Sequence, residues 1–209
     1  MTASNLTVNV TGNETAKTTA DTNIDSPMVV NFLAGPGAGK STTAAAVFTL
    51  LKLHRGIQCE LVTEFAKELV WEECQHTLMN QHYVTSKQQH RIWRVYQKVD
   101  ITITDSPTLL GCIYGRDLTS KKFRAHVLEE FNRYNNMNFF IERGKRYVEN
   151  GRNQSEDEAL KIDDEIKDCL SKHNIPYHSI EGNLNGINTA LNLIFDNIGR
   201  TVKYKIDKV

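Results

Sequence analysis

The sequence predicts a three-layer α/β domain in which about five parallel strands are covered by helices on both faces. Two observations carry this expectation. Short apolar or β-branched runs alternate along the chain with stretches of helical periodicity, the pattern of strand-helix-strand units joined by right-handed crossovers. A glycine-rich turn, Ala34 to Thr42, also joins the first such strand to the first helix. Length agrees with one unit of this kind, since 209 residues suffice for one substantial core. With 25 basic and 25 acidic residues, no global charge draws the chain to nucleic acid or to a membrane surface.

Taken in order, residues 1–26 are rich in Thr, Asn and Ala and poor in large apolar side chains, which predicts a flexible tail. The domain is expected over 27–200. Met28 to Leu33 is a short, mostly apolar run of the type that fits a parallel sheet buried on both faces. A helix from Gly39 to about His54 follows, then a strand from Ile57 to Thr63 with Glu64 at its carboxyl end. Phe65 to about Met79 is expected as one helix, with Ala66, Leu69, Val70 and Cys74 on one side. Ser86 to Gln89 has the form of a capping box, and Ile92, Val95, Tyr96 and Val99 continue the period, so the next helix is expected over roughly 86–98.

Ile101 to Asp105 is a β-branched strand ending in a carboxylate. A helix-rich stretch from Leu109 to Tyr134 leads to a fourth strand, Met137 to Ile141. Three arginines and a lysine between 143 and 152, with glycines at either end, make a basic loop able to hinge. Ser155 and Glu158 form a second capping box for a helix whose buried stripe is Ala159, Ile162, Ile166, Cys169 and Leu170, with Asp163, Asp164 and Glu165 as its solvated face. Pro176 to Ile180 is a fifth strand and Asn183 to Ile198 a closing helix; 201–209 is either an edge strand or a loose tail.

The turn carries the chemistry. Gly35-Pro36-Gly37-Ala38-Gly39-Lys40-Ser41-Thr42 is a Walker A sequence in which Ala34 stands where the first glycine usually does. Consecutive backbone N–H groups without intervening Cβ atoms can converge on triphosphate oxygens, and the dipole of the following helix favours the same anion. Lys40 is placed to reach the β- and γ-phosphates and the Ser41 hydroxyl to ligate Mg²⁺. Asp105 then has the Walker B position beside Ser41, with a helix-capping turn as its bland alternative. Arginines closing from a mobile lid suit a reaction that concentrates charge on γ-oxygens; a solvated basic loop is the alternative. Cys59, Cys74, Cys112 and Cys169 lie far apart with no Cys-x-x-Cys pair, which fits reduced thiols in a cytoplasm. No apolar run approaches the ~20 residues of a membrane span, and no signal peptide is recognisable, so a soluble cytoplasmic chain is expected.

These features make the domain a phosphate-loop NTPase. Asn-Lys-x-Asp and Asp-x-x-Gly motifs of a GTPase are missing, and the chain after residue 28 is short for a AAA-type motor with a helical lid subdomain. From about Val29 to Phe195 the sequence resembles the small phosphate-loop nucleoside and nucleotide kinases, in particular the NadR-like ribosylnicotinamide kinase domain and related phage-encoded NTP-binding proteins. The resemblance rests on Gly35 to Thr42, Val62-Thr63-Glu64-Phe65-Ala66-Lys67-Glu68, Ile103-Thr104-Asp105-Ser106-Pro107, and Arg143 through Tyr147-x-x-x-Gly151-Arg152-Asn153-Gln154.

The resemblance implies ATP and Mg²⁺ as cofactors, with the loop from Gly35 to Thr42 holding the nucleotide and Ser41 and Asp105 the metal. Glu64 is implied as general base or hydroxyl anchor, with helix capping as its alternative. Arg143, Arg146 and Arg152 are implied as lid arginines. Gln88, Gln89 and Arg91 either touch the acceptor or form a solvated helix face. Three functions stand open: phosphorylation of a nucleoside, nucleotide or related small acceptor; phosphorylation of a hydroxymethylated base in DNA; and a nucleotide-dependent interaction protein or slow ATPase. The acceptor and the oligomeric state are not legible from the sequence, and a host cytoplasm is implied if the gene is phage-encoded.

Overall fold

The computed structural model describes residues 26–54, 56–144 and 155–200. The tails expected at 1–26 and 201–209 lie outside these residues apart from Ser26, as does the basic loop beyond Gly144 with Arg146 and Arg152. Five strands, β1 (Met28–Leu33), β2 (Cys59–Val62), β3 (Ile101–Thr104), β4 (Asn136–Glu142) and β5 (His178–Glu181), form one sheet in the order β2-β3-β1-β4-β5. Every pairing is parallel, with Met28 opposite Ile101 and Val29 opposite Asn136. The expected three-layer architecture is therefore present.

Alternation along β1 sorts its side chains between the two layers. Met28, Val30 and Phe32 join Ile103, Phe139 and Ile141 against α1 (Lys40–Lys52) and α8 (Leu184–Asn197), through Val47, Leu51, Leu191 and Phe195. Phe32 and Phe139 stack at the centre of this core, ring centroids 5.4 Å apart, and neither is exposed. On the opposite face Leu33 and Phe140 pack under α5 (Leu110–Tyr114), α6 (Lys121–Asn132) and α7 (Glu156–Lys172), while Val29 and Val62 meet Ile92 of α4 (Gln81–Tyr96). Asn31 is buried on that second face. Its amide donates to Asn136 Oδ1 at 2.8 Å and Asn138 Oδ1 at 2.9 Å, so a polar residue sits in the core with its hydrogen bonds satisfied.

Three local expectations need correction. The single helix expected from Phe65 to Met79 is two, α2 (Phe65–Trp71) and α3 (Gln75–Met79). Glu73 takes the left-handed conformation at φ 55°, Cys74 N–H bonds Leu69 O and Glu73 N–H bonds Val70 O, which is a Schellman ending built without glycine. Helix α4 starts at Gln81 because Asn80 caps it, accepting from Tyr83 N–H at 3.2 Å; Ser86 to Gln89 lie mid-helix and cap nothing. Asp163 is buried, 8% exposed, and does not belong to the solvated face of α7. The Ser155 and Glu158 box forms as expected, with both reciprocal bonds present. Replacing Phe139 by alanine removes the stacked partner of Phe32 from a closed core and is expected to cost about 3–5 kcal/mol, read as a lowered urea midpoint.

Candidate functional site

The loop between β1 and α1 turns on two glycines, Gly37 at φ 82° and Gly39 at φ 103°. Side chains are strained in that region, so these two positions require glycine. Ala34 is buried and keeps a negative φ, which is why it replaces the usual first glycine without cost. Gly39 is the N-cap of α1 and no side chain caps the helix, leaving its first N–H groups directed at the loop's concavity. Lys40 is buried, and its ammonium donates to Gly35 O at 3.0 Å.

A largely buried ion pair holds this loop from behind. The Asp163 carboxylate accepts the Gly35 N–H and pairs with Arg143 at the end of β4. The guanidinium also donates to Pro36 O at 2.8 Å and Ala159 O at 3.1 Å, so all three of its nitrogens are engaged. A Cβ at Gly35 would meet Ala159 O and Asp163 at 3.0 Å or less, so this glycine is required by packing and not by φ. Arg143 thus stands under the loop as a brace. That differs from the mobile lid arginine implied by resemblance; Arg146 and Arg152 fall outside the described residues. Asp163 was not anticipated as a site residue.

Lys40 faces acidic company. Burial lowers its pKa, opposed by the carboxylates of Glu64, Asp105 and Asp163. Glu64 has its pKa raised, chiefly by burial, with Lys40 pulling it down and Asp105 pushing it up. Glu64 occupies the N-cap position of α2 yet makes no capping bond, so helix capping is not what its carboxylate does. Asp105 is 3% exposed, and its Oδ1 is buried with no hydrogen-bond partner among the described residues; the N-cap position of the next helix, α5, falls at Leu109, so Asp105 is not its cap. An orphaned carboxylate oxygen beside the loop that carries Ser41 fits a divalent cation, which would supply that partner. Among the described residues no cluster of three or more His, Cys, Asp or Glu side chains could hold a metal, so a cation there would depend on Ser41, Asp105 and the nucleotide's own oxygens.

The loop opens into a cavity of about 560 Å³. Lys40, Ser41, Thr42 and Glu64 line its near end; α2, α3, α4 and α5 enclose the remainder, through Val70, Trp71, Leu78, Thr85, Gln88, Leu110 and Tyr114 among others. Of the three helix residues named from sequence, only Gln88 reaches it. Gln89 Nε2 donates to Glu130 Oε2 at 3.1 Å, and the Arg91 guanidinium donates two hydrogen bonds to the Glu68 carboxylate, at 2.8 and 2.6 Å, while covering the Phe65 ring. No described helix is long and apolar enough to cross a membrane.

Removing either member of the loop's brace leaves the other as a largely buried charge without its counter-ion. Asp163→Ala is expected to lose about 3–5 kcal/mol by urea denaturation and to weaken binding of a fluorescent ATP analogue, because Gly35 N–H loses its acceptor. An Asp163→Ala protein with wild-type nucleotide affinity would show that the loop keeps its shape unaided.

A search of curated proteins returns no match. Among solved structures, a NadR protein in complex with NR superposes at TM-score 0.59 with 14% identity over 89% of this chain, which spans about half (54%) of that protein's length. A deoxyadenosine kinase from M. mycoides with bound dATP matches at TM-score 0.51 and 15% identity, covering 82% of this chain and 100% of that one. A thymidylate kinase from Ehrlichia chaffeensis matches at TM-score 0.51 and 13% identity, covering 83% and 99%. At such identities the likeness is one of fold. A family model described as an AAA domain matches residues 29–185, the phosphate-loop domain itself. The chain therefore belongs to this AAA domain family and has the fold of a phosphate-loop NTPase of the nucleotide-kinase kind.

Proposed function

We propose that this chain is an ATP- and Mg²⁺-dependent phosphotransferase acting on a hydroxyl of a nucleoside, nucleotide or related small acceptor. One observation carries the reading: the phosphate loop and Glu64 share a single cavity that continues well beyond the loop, between α2–α3 and α4–α5. Hydrolysis needs room for one water molecule; the cavity of about 560 Å³ takes in the phosphate end and continues past it between the helices, which leaves space for a second ligand beside the triphosphate. The kinase-like neighbours support the same class of reaction, and the NadR structure with NR and the deoxyadenosine kinase with dATP suggest the size of ligand.

In this reading the loop from Gly35 to Thr42 receives the triphosphate and Lys40 moves from Gly35 O to the β- and γ-oxygens. Ser41 and Asp105 would hold Mg²⁺, which neutralises charge on the phosphates when bound. The acceptor hydroxyl lies against Glu64 and gives its proton to that carboxylate as its oxygen bonds to the γ-phosphorus. The bond from the γ-phosphorus to the bridging oxygen breaks, and ADP carries that oxygen away. Arg146 and Arg152 are proposed to close over the γ-phosphate, while Arg143 braces the loop from below. Surrounding apolar walls exclude water so that transfer outruns hydrolysis.

Labelled ATP incubated with nucleosides, nucleotides and hydroxymethylated DNA tests this directly. Label is expected in a small acceptor, and Lys40→Ala is expected to abolish it; label found only as free phosphate, whatever the acceptor, overturns the reading. Label in the modified DNA alone would redirect the acceptor to a polynucleotide.

Glu64 also makes a pH prediction. A base must be ionised, and burial holds this carboxyl above its usual range. Activity is therefore lost as pH falls through a value higher than that of an ordinary glutamate, about 4.3. Glu64→Gln is expected to lower kcat by about 10²–10⁴-fold and to remove that acidic limb from the pH profile.

A further inference from the structure

Between Glu73 and Asp100 the sequence contains no aspartate or glutamate, although 25 acids in 209 residues average one in about eight. Helix α4 fills most of that interval, so its charged side chains are all cationic. The chain as a whole is neutral, and the asymmetry is local. One side of the helix is buried, through Val84, Thr85, Gln88 and Ile92. Tyr83, Lys87, His90 and Arg94 follow one another at spacings of four, three and four residues, which sets them in a single exposed row on the other side. Trp93 flanks the row, and Lys98 is exposed just past the helix end. From Tyr83 to Arg94 the row is about 16 Å long, the span of about five stacked nucleotides.

Neighbouring helices bring two carboxylates against α4, and both are already engaged. Glu68 of α2 accepts both hydrogen bonds from Arg91, and Glu130 of α6 accepts from Gln89 and Arg133. Lys87, Arg94 and Lys98 enter no ion pair among the described residues. Aromatic rings are interleaved with these cations. The Lys87 ammonium lies 5.7 Å from the Tyr83 ring centroid, and Trp93, 62% exposed, stacks with His90 at a centroid distance of 5.6 Å. Solvation of a charged face does not account for an indole kept in water, and an acidic peptide would use the cations alone. Cations beside an open aromatic face complement a strand that carries phosphates and unstacked bases together.

We propose that the outer face of α4 is a docking surface for single-stranded nucleic acid, with Lys87, Arg94 and Lys98 on the phosphates and a base stacked against Trp93. None of these side chains lines the cavity, so the proposal stands independently of the phosphotransfer reading. Duplexes keep the faces of their bases in their own stack and offer Trp93 nothing. Phosphate contacts carry no sequence information and every base has a π-face, so strands bind here without sequence preference.

Fluorescence anisotropy tests this with labelled oligothymidylate and oligouridylate, a duplex of the same length, and polyglutamate as a polyanion without bases. A non-hydrolysable ATP analogue is kept saturating, so that oligonucleotide phosphates do not compete for the loop. At least one single strand is expected to bind tenfold or more tightly than the duplex and polyglutamate. Lys87→Gln combined with Arg94→Gln is expected to weaken that strand at least tenfold and to flatten its salt dependence. Trp93→Ala is expected to weaken it at least fivefold and to leave the salt dependence unchanged, because stacking releases no counter-ions. Retained binding of a fluorescent ATP analogue shows that each variant is folded, and should one variant misfold the other still decides. Duplex or polyglutamate binding as tight as that of the single strands, a smaller loss in either folded variant, or no binding at 100 μM protein in 50 mM salt overturns the proposal.

Discussion

A glycine-rich turn has no side chains with which to fix itself, and here the Asp163 carboxylate supplies what it lacks. It accepts Gly35 N–H, and through Arg143 it reaches Pro36 O and Ala159 O, so strand β4, helix α7 and the loop converge on one buried pair. The arrangement has a geometric consequence. With Gly35 N–H committed to Asp163, the N–H groups free to meet an anion are those further along, toward the uncapped start of α1. Burying the pair is costly unless its hydrogen bonds are complete, and the four contacts around it provide that completion. The loop's shape is thus set before any ligand arrives, which is what positioning a triphosphate requires.

Charge in front of the loop is organised on the opposite principle. Behind it, positive and negative groups are matched; in front, Lys40 faces Glu64 and Asp105, and burial acts against the charged form of both Lys40 and Glu64. Asp105 Oδ1 has no hydrogen-bond partner among the described residues. A cluster of this kind favours cationic charge on the aspartate side and anionic charge on the lysine side. The magnesium-bound triphosphate proposed above would meet both together.

Much of this was legible in the sequence. The five strands, their order of appearance and the loop follow from apolar runs and glycine spacing, because those signals are local. Glu64 and Asp105 could be named because the carboxyl ends of parallel strands are where ligands of such sheets sit. Asp163 was also within reach. Its spacing from Ala159, Ile166 and Leu170 puts it on the buried stripe of α7, and a carboxylate on an apolar stripe needs a partner; treating three consecutive acids as one solvated face hid that signal. The break between α2 and α3 was not legible, since Glu73 adopts a left-handed conformation that usually announces itself through glycine or asparagine. Nor was the start of α4, where Asn80 competed with a well-formed capping box at Ser86.

The illegible break also shapes the cavity beyond the loop. If Phe65 to Met79 ran on as one helix, Leu78 and Trp71 would continue along a single axis. The turn at Glu73 and Cys74 lets α3 change direction, so both residues line the same cavity together with Gln88 from α4. The phosphate half of the site therefore depends on residues adjacent in sequence, from Gly35 to Thr42, while the other half is assembled from four separate helices. Substitutions in α2 to α5 can reshape the second half without disturbing the first. A motif that identifies the loop so plainly consequently carries no information about what the other half of the cavity would hold; that half is decided by side chains from four helices.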